Sequence, residues 1–130
     1  MEIKKQAKQD QAFPNILCFQ EVDHFKDFYH IQLSRMGYDM DLHWRRGKDA
    51  ELIAWRKDEF QHIKSHKINF EDLIPKYGAY GKYFKRGNVG LICLLRHKST
   101  NSLILVINVH LHWNPTYDYV KYGQSFWLLI

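Results

Sequence analysis

The segment Leu103-Ile104-Leu105-Val106-Ile107-Asn108-Val109-His110-Leu111-His112-Trp113 constrains the fold most. Its first half is apolar at every position, the pattern of a strand buried on both faces. From Asn108 the pattern alternates. Asn108, His110 and His112 share one face, and Ile107, Val109, Leu111 and Trp113 share the other. Such a segment needs a sheet to bury it, and its polar end delivers three hydrogen-bonding side chains to one rim of that sheet. Sites are commonly built there. A surface strand end with hydrated histidines has the same pattern. Two imidazoles at i and i+2 also suit zinc, but a third ligand has to come from elsewhere, and no Cys or His motif with finger spacing offers one.

The rest of the chain supplies the other strands. Ile16-Leu17-Cys18-Phe19 reads as a short strand buried on both faces, closed by Gln20-Glu21. Asp23 is placed to cap a helix carrying Phe25, Tyr29, Leu33 and Met36, which Gly37 stops. Tyr38 to Trp44 alternates as a strand, and Arg45 to Asp49 is a turn. Leu52 to Trp55 and Phe60 to Phe70 read as strands around Lys57-Asp58-Glu59. Glu71 to Gly90 reads as a long loop with four glycines, a basic cluster at Lys82, Lys85 and Arg86, and one helical turn at Glu71-Ile74. Val89 to Leu95 is a buried strand. Tyr117 to Ile130 is helical, with Val120, Gln124, Trp127 and Leu128 on one side, and residues 2–12 form an exposed helix. The class is α/β with hairpin-connected strands, more mixed than a doubly wound sheet. The chain stops on Phe126-Trp127-Leu128-Leu129-Ile130 with no cap, so a truncated domain is expected.

With 130 residues, 45% hydrophobic and 15% aromatic, there is ample core material for one domain. No apolar run is long enough for a membrane-spanning helix, and the polar start from Met1 to Asp10 is not a secretory signal peptide. The formal charge of +5 suits an anionic partner without demanding one. Cys18 and Cys93 lie in apolar runs and read as buried thiols of a reducing compartment.

Three further features could carry chemistry. Glu21, after a core strand, is a plausible oxygen ligand for magnesium, or a solvated carboxylate near a helix start. Trp113-Asn114-Pro115 offers a flat apolar platform for a nucleobase, or is simply a turn. Arg45, Arg46, Lys82, Lys85 and Arg86 could meet phosphates, or be solvated.

Together these residues resemble a known family. Ile16-Leu17-Cys18-Phe19-Gln20-Glu21-Val22-Asp23 is similar to the ILCLQEVD segment of the endonuclease/exonuclease/phosphatase superfamily. Lys85 to Ile92 resembles the RDNVGLI strand of its deadenylase-like branch, which includes carbon-catabolite-repressor-type deadenylases, nocturnin and the angel proteins. Asn108-Val109-His110-Leu111-His112-Trp113-Asn114-Pro115, with Val120-Lys121 and Gln124, resembles its NTHLxWNP…DVKLxQ segment, and Asp49 to Arg56 with Phe60 resembles its DGCAIFWRxxxF hairpin. The matches keep the family's order over about residues 14–128.

The resemblance implies a four-layer α/β sandwich of two mixed, largely antiparallel sheets flanked by helices, hydrolysing phosphodiesters with magnesium. It implies Glu21 as metal ligand, His110 as the phosphate-contacting catalytic histidine with Asn108 beside it, and Pro115 against the substrate adenine. Asn88, Trp113 and His112 join the expected substrate-binding set. Gly87 stands where the family has Asp, Ala50-Glu51 where it has Gly-Cys, and Tyr119 where it has Asp. The upstream YNIL asparagine and the downstream GDxN and SDH segments have no counterpart in the chain. Residues 1–130 are therefore expected to be the N-terminal half of the domain. The expected parent activity is a magnesium-dependent 3′-exoribonuclease on poly(A) RNA, inactive in this chain alone. The alternative is a non-catalytic fragment or degenerate paralogue that only binds RNA or a partner protein. The expected partners are RNA and proteins of an mRNA-decay complex, with no membrane. The expected compartment is intracellular, cytoplasmic more than nuclear. Half a sandwich is also expected to leave a sheet face and an edge uncovered.

Overall fold

The computed structural model describes residues 13–129. The helix expected over residues 2–12 lies outside the described residues. Strand β1 (Ile16–Val22) is followed by a π turn (Phe25–Tyr29) that runs into helix α1 (His30–Arg35). Strands β2 (Tyr38–Arg45), β3 (Asp49–Arg56) and β4 (Phe60–Asn69) follow. A 3-10 segment (Phe70–Phe84) leads into β5 (Val89–His97) and β6 (Leu103–Val109). A 3-10 turn (Pro115–Tyr117) and helix α2 (Asp118–Trp127) complete the order.

The strands form two three-stranded sheets, ordered β1-β3-β2 and β4-β5-β6. Every pairing among the described residues is antiparallel, in keeping with the largely antiparallel sheets expected. Short polar turns at 45–49 and 98–102 join the paired strands β2–β3 and β5–β6 directly, and such hairpins permit only antiparallel pairing. The layers follow from three apolar clusters. Val22, Leu33, Tyr38, Ala50, Leu52 and Ala54 join the first sheet to α1. Ile53, Trp55, Phe60, Leu91, Cys93 and Leu95 fill the space between the sheets. Ile68, Phe70, Leu73, Phe84 and Val120 pack the second sheet against α2 and the 3-10 segment. The result is a helix–sheet–sheet–helix stack, the four layers that the resemblance implied. In β3, Ala50, Leu52 and Ala54 serve one layer and Ile53 and Trp55 the next, because side chains alternate across a strand.

Several expectations need correcting. The 1 strand expected to be buried on both faces at the start, β1, is an edge strand with Leu17 and Phe19 half-buried and Cys18 exposed. Only Cys93 is a buried thiol. Strand β6 is likewise an edge. It ends at Val109, so His110 and His112 lie beyond the sheet ladder rather than in alternation on it. Leu103 and Leu105 are 58% and 60% exposed. Apolar composition shows what a strand can bury, not what is present to cover it. Asp23 accepts a hydrogen bond from the His24 backbone N–H at 2.8 Å instead of capping the helix start, where His24 stands without a side-chain cap. The stretch expected to be a loop over 71–90 is largely 3-10, broken at Gly78 (φ 51°, ψ −126°). Its Phe70, Leu73 and Phe84 are buried under α2, and this tertiary burial outweighs the glycines and Pro75.

Helix α2 approaches that segment closely at Gly123. A Cβ there would stand 2.5 Å from the Phe84 ring. Gly123→Ala is therefore expected to destabilise by about 1–3 kcal/mol through overpacking, read as a lowered urea midpoint with unchanged slope. No loss of stability would show that the helix can move away freely.

Candidate active site

Four backbone devices build one rim of the sandwich. The first is a bulge in β1. Phe19 pairs with Leu52 and Val22 with Ala50, so Gln20 and Glu21 together interrupt the register. Glu21 takes the left-handed conformation (φ 56°), uncommon for a residue with a Cβ. The bulge leaves its carboxylate 65% exposed, with Oε1 3.8 Å from His110 Nδ1. Gln20 Nε2, from the same bulge, donates to the Val109 carbonyl and ties β1 to the end of β6.

The second device is Asn108, buried between the sheets. Its Nδ2 donates to the carbonyls of Phe19 (2.8 Å) and Leu52 (3.1 Å), so β6 is bonded to both β1 and β3 of the other sheet. The third holds the segment after β6. Asn88 Nδ2 donates to the His110 carbonyl (2.9 Å), and Gln124 Nε2 donates to Asn88 Oδ1 (3.1 Å). Gln124 Oε1 accepts from the His112 N–H (3.0 Å). One buried Asn–Gln pair thus fixes the peptides of both histidines. Buried amides carry four hydrogen-bonding capacities each, and these two spend them on the irregular backbone where the ladder has stopped. The fourth is the approach to Asn88. Glu71 Oε1 accepts from Arg46 and from the Gly87 N–H (3.2 Å), and Gly87 turns at φ 70°. That positive φ gives a conformational reason for glycine where the resemblance has aspartate.

The sequence-derived residues therefore divide. Glu21 and His110 meet at the rim. Asn108 and Asn88 lie just beneath it, engaged with backbone. Trp113 is 77% exposed and Pro115 is exposed at the start of the 3-10 turn, where Asn114 Oδ1 accepts from the Thr116 N–H. His112 is half-buried near Trp113 and Tyr117, with no partner for Nε2. Burial first, then Arg86 and Lys121, holds its imidazole below the ordinary value, so it is neutral at physiological pH. From the basic cluster, Arg86 covers the Tyr117 ring (4.5 Å) and Lys82 lies over Tyr83 (5.2 Å).

Two residues escaped the sequence reading. Gln124 was placed on the buried side of its helix, but not in the amide chain. Glu51 was seen only as a departure from the motif. It is 2% exposed, with Oε2 lacking a partner. Burial, then the charge of Asp49, pushes its carboxyl up to about 7, against the opposing pull of Arg45. The available signal was a carboxylate inside a strand apolar on both faces. Among the described residues, Glu21 belongs to no group of three converging metal-type donors. No helix among them is long and apolar enough to cross a membrane.

A four-layer sandwich with a glutamate and a histidine meeting at one rim is what the resemblance to the endonuclease/exonuclease/phosphatase superfamily implied. The comparisons with known proteins agree, although no protein-family model matches the chain. It is 33% identical over 136 residues to the CCR4-Not complex 3′-5′-exoribonuclease subunit Ccr4 of Yarrowia lipolytica, covering 88% of this chain and 19% of that protein. It is also 33% identical over 131 residues to the probable Ccr4 subunit of Enterocytozoon bieneusi, covering 85% and 27%. Among solved structures, ANGEL2, a 2′,3′-cyclic phosphatase, in complex with adenosine-2′,3′-vanadate superposes with a TM-score of 0.74 at 28% identity. That match covers 85% of this chain and 32% of the other. The human Nocturnin catalytic domain with bound sulfate shares the fold, with a TM-score of 0.75 at 24% identity over 89% and 44%. The chain is thus similar to proteins of the deadenylase-like branch of that superfamily, and it spans about a fifth to a quarter of the length of the curated relatives it matches.

Proposed function

We propose that the chain supplies the Glu21–His110 portion of a magnesium-dependent phosphodiesterase site acting on the 3′ end of RNA, with poly(A) as substrate. In this reading its other partners are proteins of an mRNA-decay assembly in the cytoplasm. The observation that carries the reading is the convergence of Glu21 and His110, remote in sequence, at 3.8 Å.

The donor set fits magnesium. That ion takes one or two carboxylates and completes its shell with water and phosphate oxygens. A single exposed glutamate outside any three-donor group suits it. Bound there, the ion would neutralise charge on the ester. His110 donates a hydrogen bond to a non-bridging phosphate oxygen. Asn88, Gln124 and Asn108 act as positioning residues, since their amides hold backbone rather than open space. Trp113 and Pro115 offer exposed apolar surface beside His110 for the terminal base. His112, held neutral, adds no charge there.

GDxN and SDH segments are absent from the 130 residues. The family's water-orienting Asp, its Asn and its catalytic His therefore have no counterpart here, and the chain alone binds RNA ends without turning them over. Oligo(A) with a free 3′ hydroxyl is expected to bind at least about tenfold more tightly in magnesium than in chelator, a difference of about 1.4 kcal/mol. Glu21→Ala removes that increment, and fluorescence anisotropy measures it. Affinity indifferent to magnesium and to Glu21→Ala would overturn the metal role. Turnover by homogeneous chain would overturn the inactive reading.

A further inference from the structure

The geometry points to a second metal site, for a borderline-soft divalent ion such as zinc, formed by Asp41, His62 and Cys93 between the two sheets. One ligand atom from each lies within 4.8 Å of the others. Asp41 stands on β2 of the first sheet, His62 and Cys93 on β4 and β5 of the second. No sequence spacing announces the group, because three strands and both sheets are needed to assemble it.

The site is distinct from the rim that holds Glu21. Cys93 lies three residues along β5 from Gly90, which pairs with Val109, a separation of about 10 Å. Its donors also differ in kind. One sulfur, one imidazole nitrogen and one carboxylate oxygen make a zinc-type set, whereas magnesium and calcium avoid sulfur.

The surroundings hold the donors in place. Ser65 Oγ lies 2.7 Å from His62 Nε2 and 3.3 Å from Cys93 Sγ, bridging two of the three. The Trp55 ring stacks on His62 at 5.1 Å and 11°. Burial is the largest influence on Cys93 and pushes its thiol up to about 11, so without an ion the sulfur is protonated. An incoming ion displaces that proton, forming the metal–sulfur bond as the S–H bond breaks and the proton passes to solvent. Three protein ligands leave a fourth tetrahedral position for water or the Ser65 hydroxyl. Lys67 Nζ, 3.7 Å from Asp41 Oδ1, is the opposing cation. It is half-exposed and free to swing into water.

The consequence is a clip between β2 and the β4–β5 pair. Chelator-stripped full chain is titrated with zinc against a chromophoric chelator, and separately with cobalt(II). One equivalent is expected, with a thiolate-to-cobalt charge-transfer band in the near ultraviolet. Cys93→Ser abolishes the band. His62→Ala, which also uncovers the Trp55 ring, weakens affinity about ten- to a hundredfold, while urea unfolding at neutral pH reads the packing loss separately. Cys18→Ser, at the exposed edge, leaves both unchanged. No thiolate band in the unmodified chain, a band that survives Cys93→Ser, or one lost with Cys18→Ser would each overturn the site. A zinc titre abolished by Glu21→Ala would place the ion at the rim and overturn it too.

Discussion

Asn108→Ala is expected to destabilise the protein by about 3 kcal/mol, the largest loss from any single amide. Two hydrogen bonds disappear, each worth about 1–1.5 kcal/mol, and a buried gap opens between the sheets. The two bonds end on different strands, at Phe19 of β1 and Leu52 of β3. The loss therefore falls on the register of one sheet against the other, not on a single ladder. The second readout is the rim. Phe19 immediately precedes the bulge that carries Glu21, and Asn108 lies two residues before His110. Magnesium-dependent oligo(A) binding should weaken in Asn108→Ala even where urea curves show the chain fully folded. Stability within about 0.5 kcal/mol of the parent would mean that water replaces the amide and that the bridge is dispensable.

Glu51→Gln should move stability in the opposite direction, by an amount that grows as pH rises from 4.5 toward 7. The carboxyl is raised from 4.5 to about 7, chiefly by burial. For an acid raised in the folded state, the ionised form is the one the fold disfavours. Below pH 4.5 the group is protonated folded or unfolded and affects nothing. As pH climbs through 4.5 toward 7, the unfolded chain ionises while the folded chain resists, and stability falls. Above about 7 the penalty is complete, near 3 kcal/mol for that interval. Glutamine removes the charge and keeps the shape, so the variant should exceed the parent by about 2–3 kcal/mol at pH 8 and match it near pH 4. Urea midpoints at the two pH values measure this. An equal difference at both would show that Glu51 acts through packing rather than charge.

Much of the layered fold was legible because alternation survives at the residue level. The inward and outward sides of β3 can be read from Ala50, Leu52 and Ala54 against Ile53 and Trp55. The burial of Val120 and Gln124 follows from helical spacing alone. Exposure was not legible. Cys18, Leu103 and Leu105 sit in runs as apolar as any core, and nothing local states that their strands are edges. The end of β6 was misjudged for a related reason. Alternation through Trp113 mimics a strand, but pairing stops at Val109 and buried amides support the backbone beyond it. Within the candidate site, Glu21 and His110 were expected from the resemblance, and their approach to 3.8 Å required coordinates. Glu51 and Gln124 remained hidden because a lone polar residue in an apolar pattern does not reveal whether it finds a partner. Leu103, Leu105 and Ile107 leave one face of β6 open to solvent.

The left-handed turn at Glu21 carries a consequence for how variation at this position will register. A non-glycine residue with positive φ spends conformational energy, of order 1 kcal/mol, that glycine would not. Folding pressure alone therefore pulls this codon toward glycine, and under the proposed function the chemistry at the rim resists. A survey that scores mutants by cellular abundance would rank Glu21→Gly among the harmless, while one that scores RNA ends would rank it among the worst. Disagreement between two such maps at a single position marks a residue retained for what it does rather than for what it holds up.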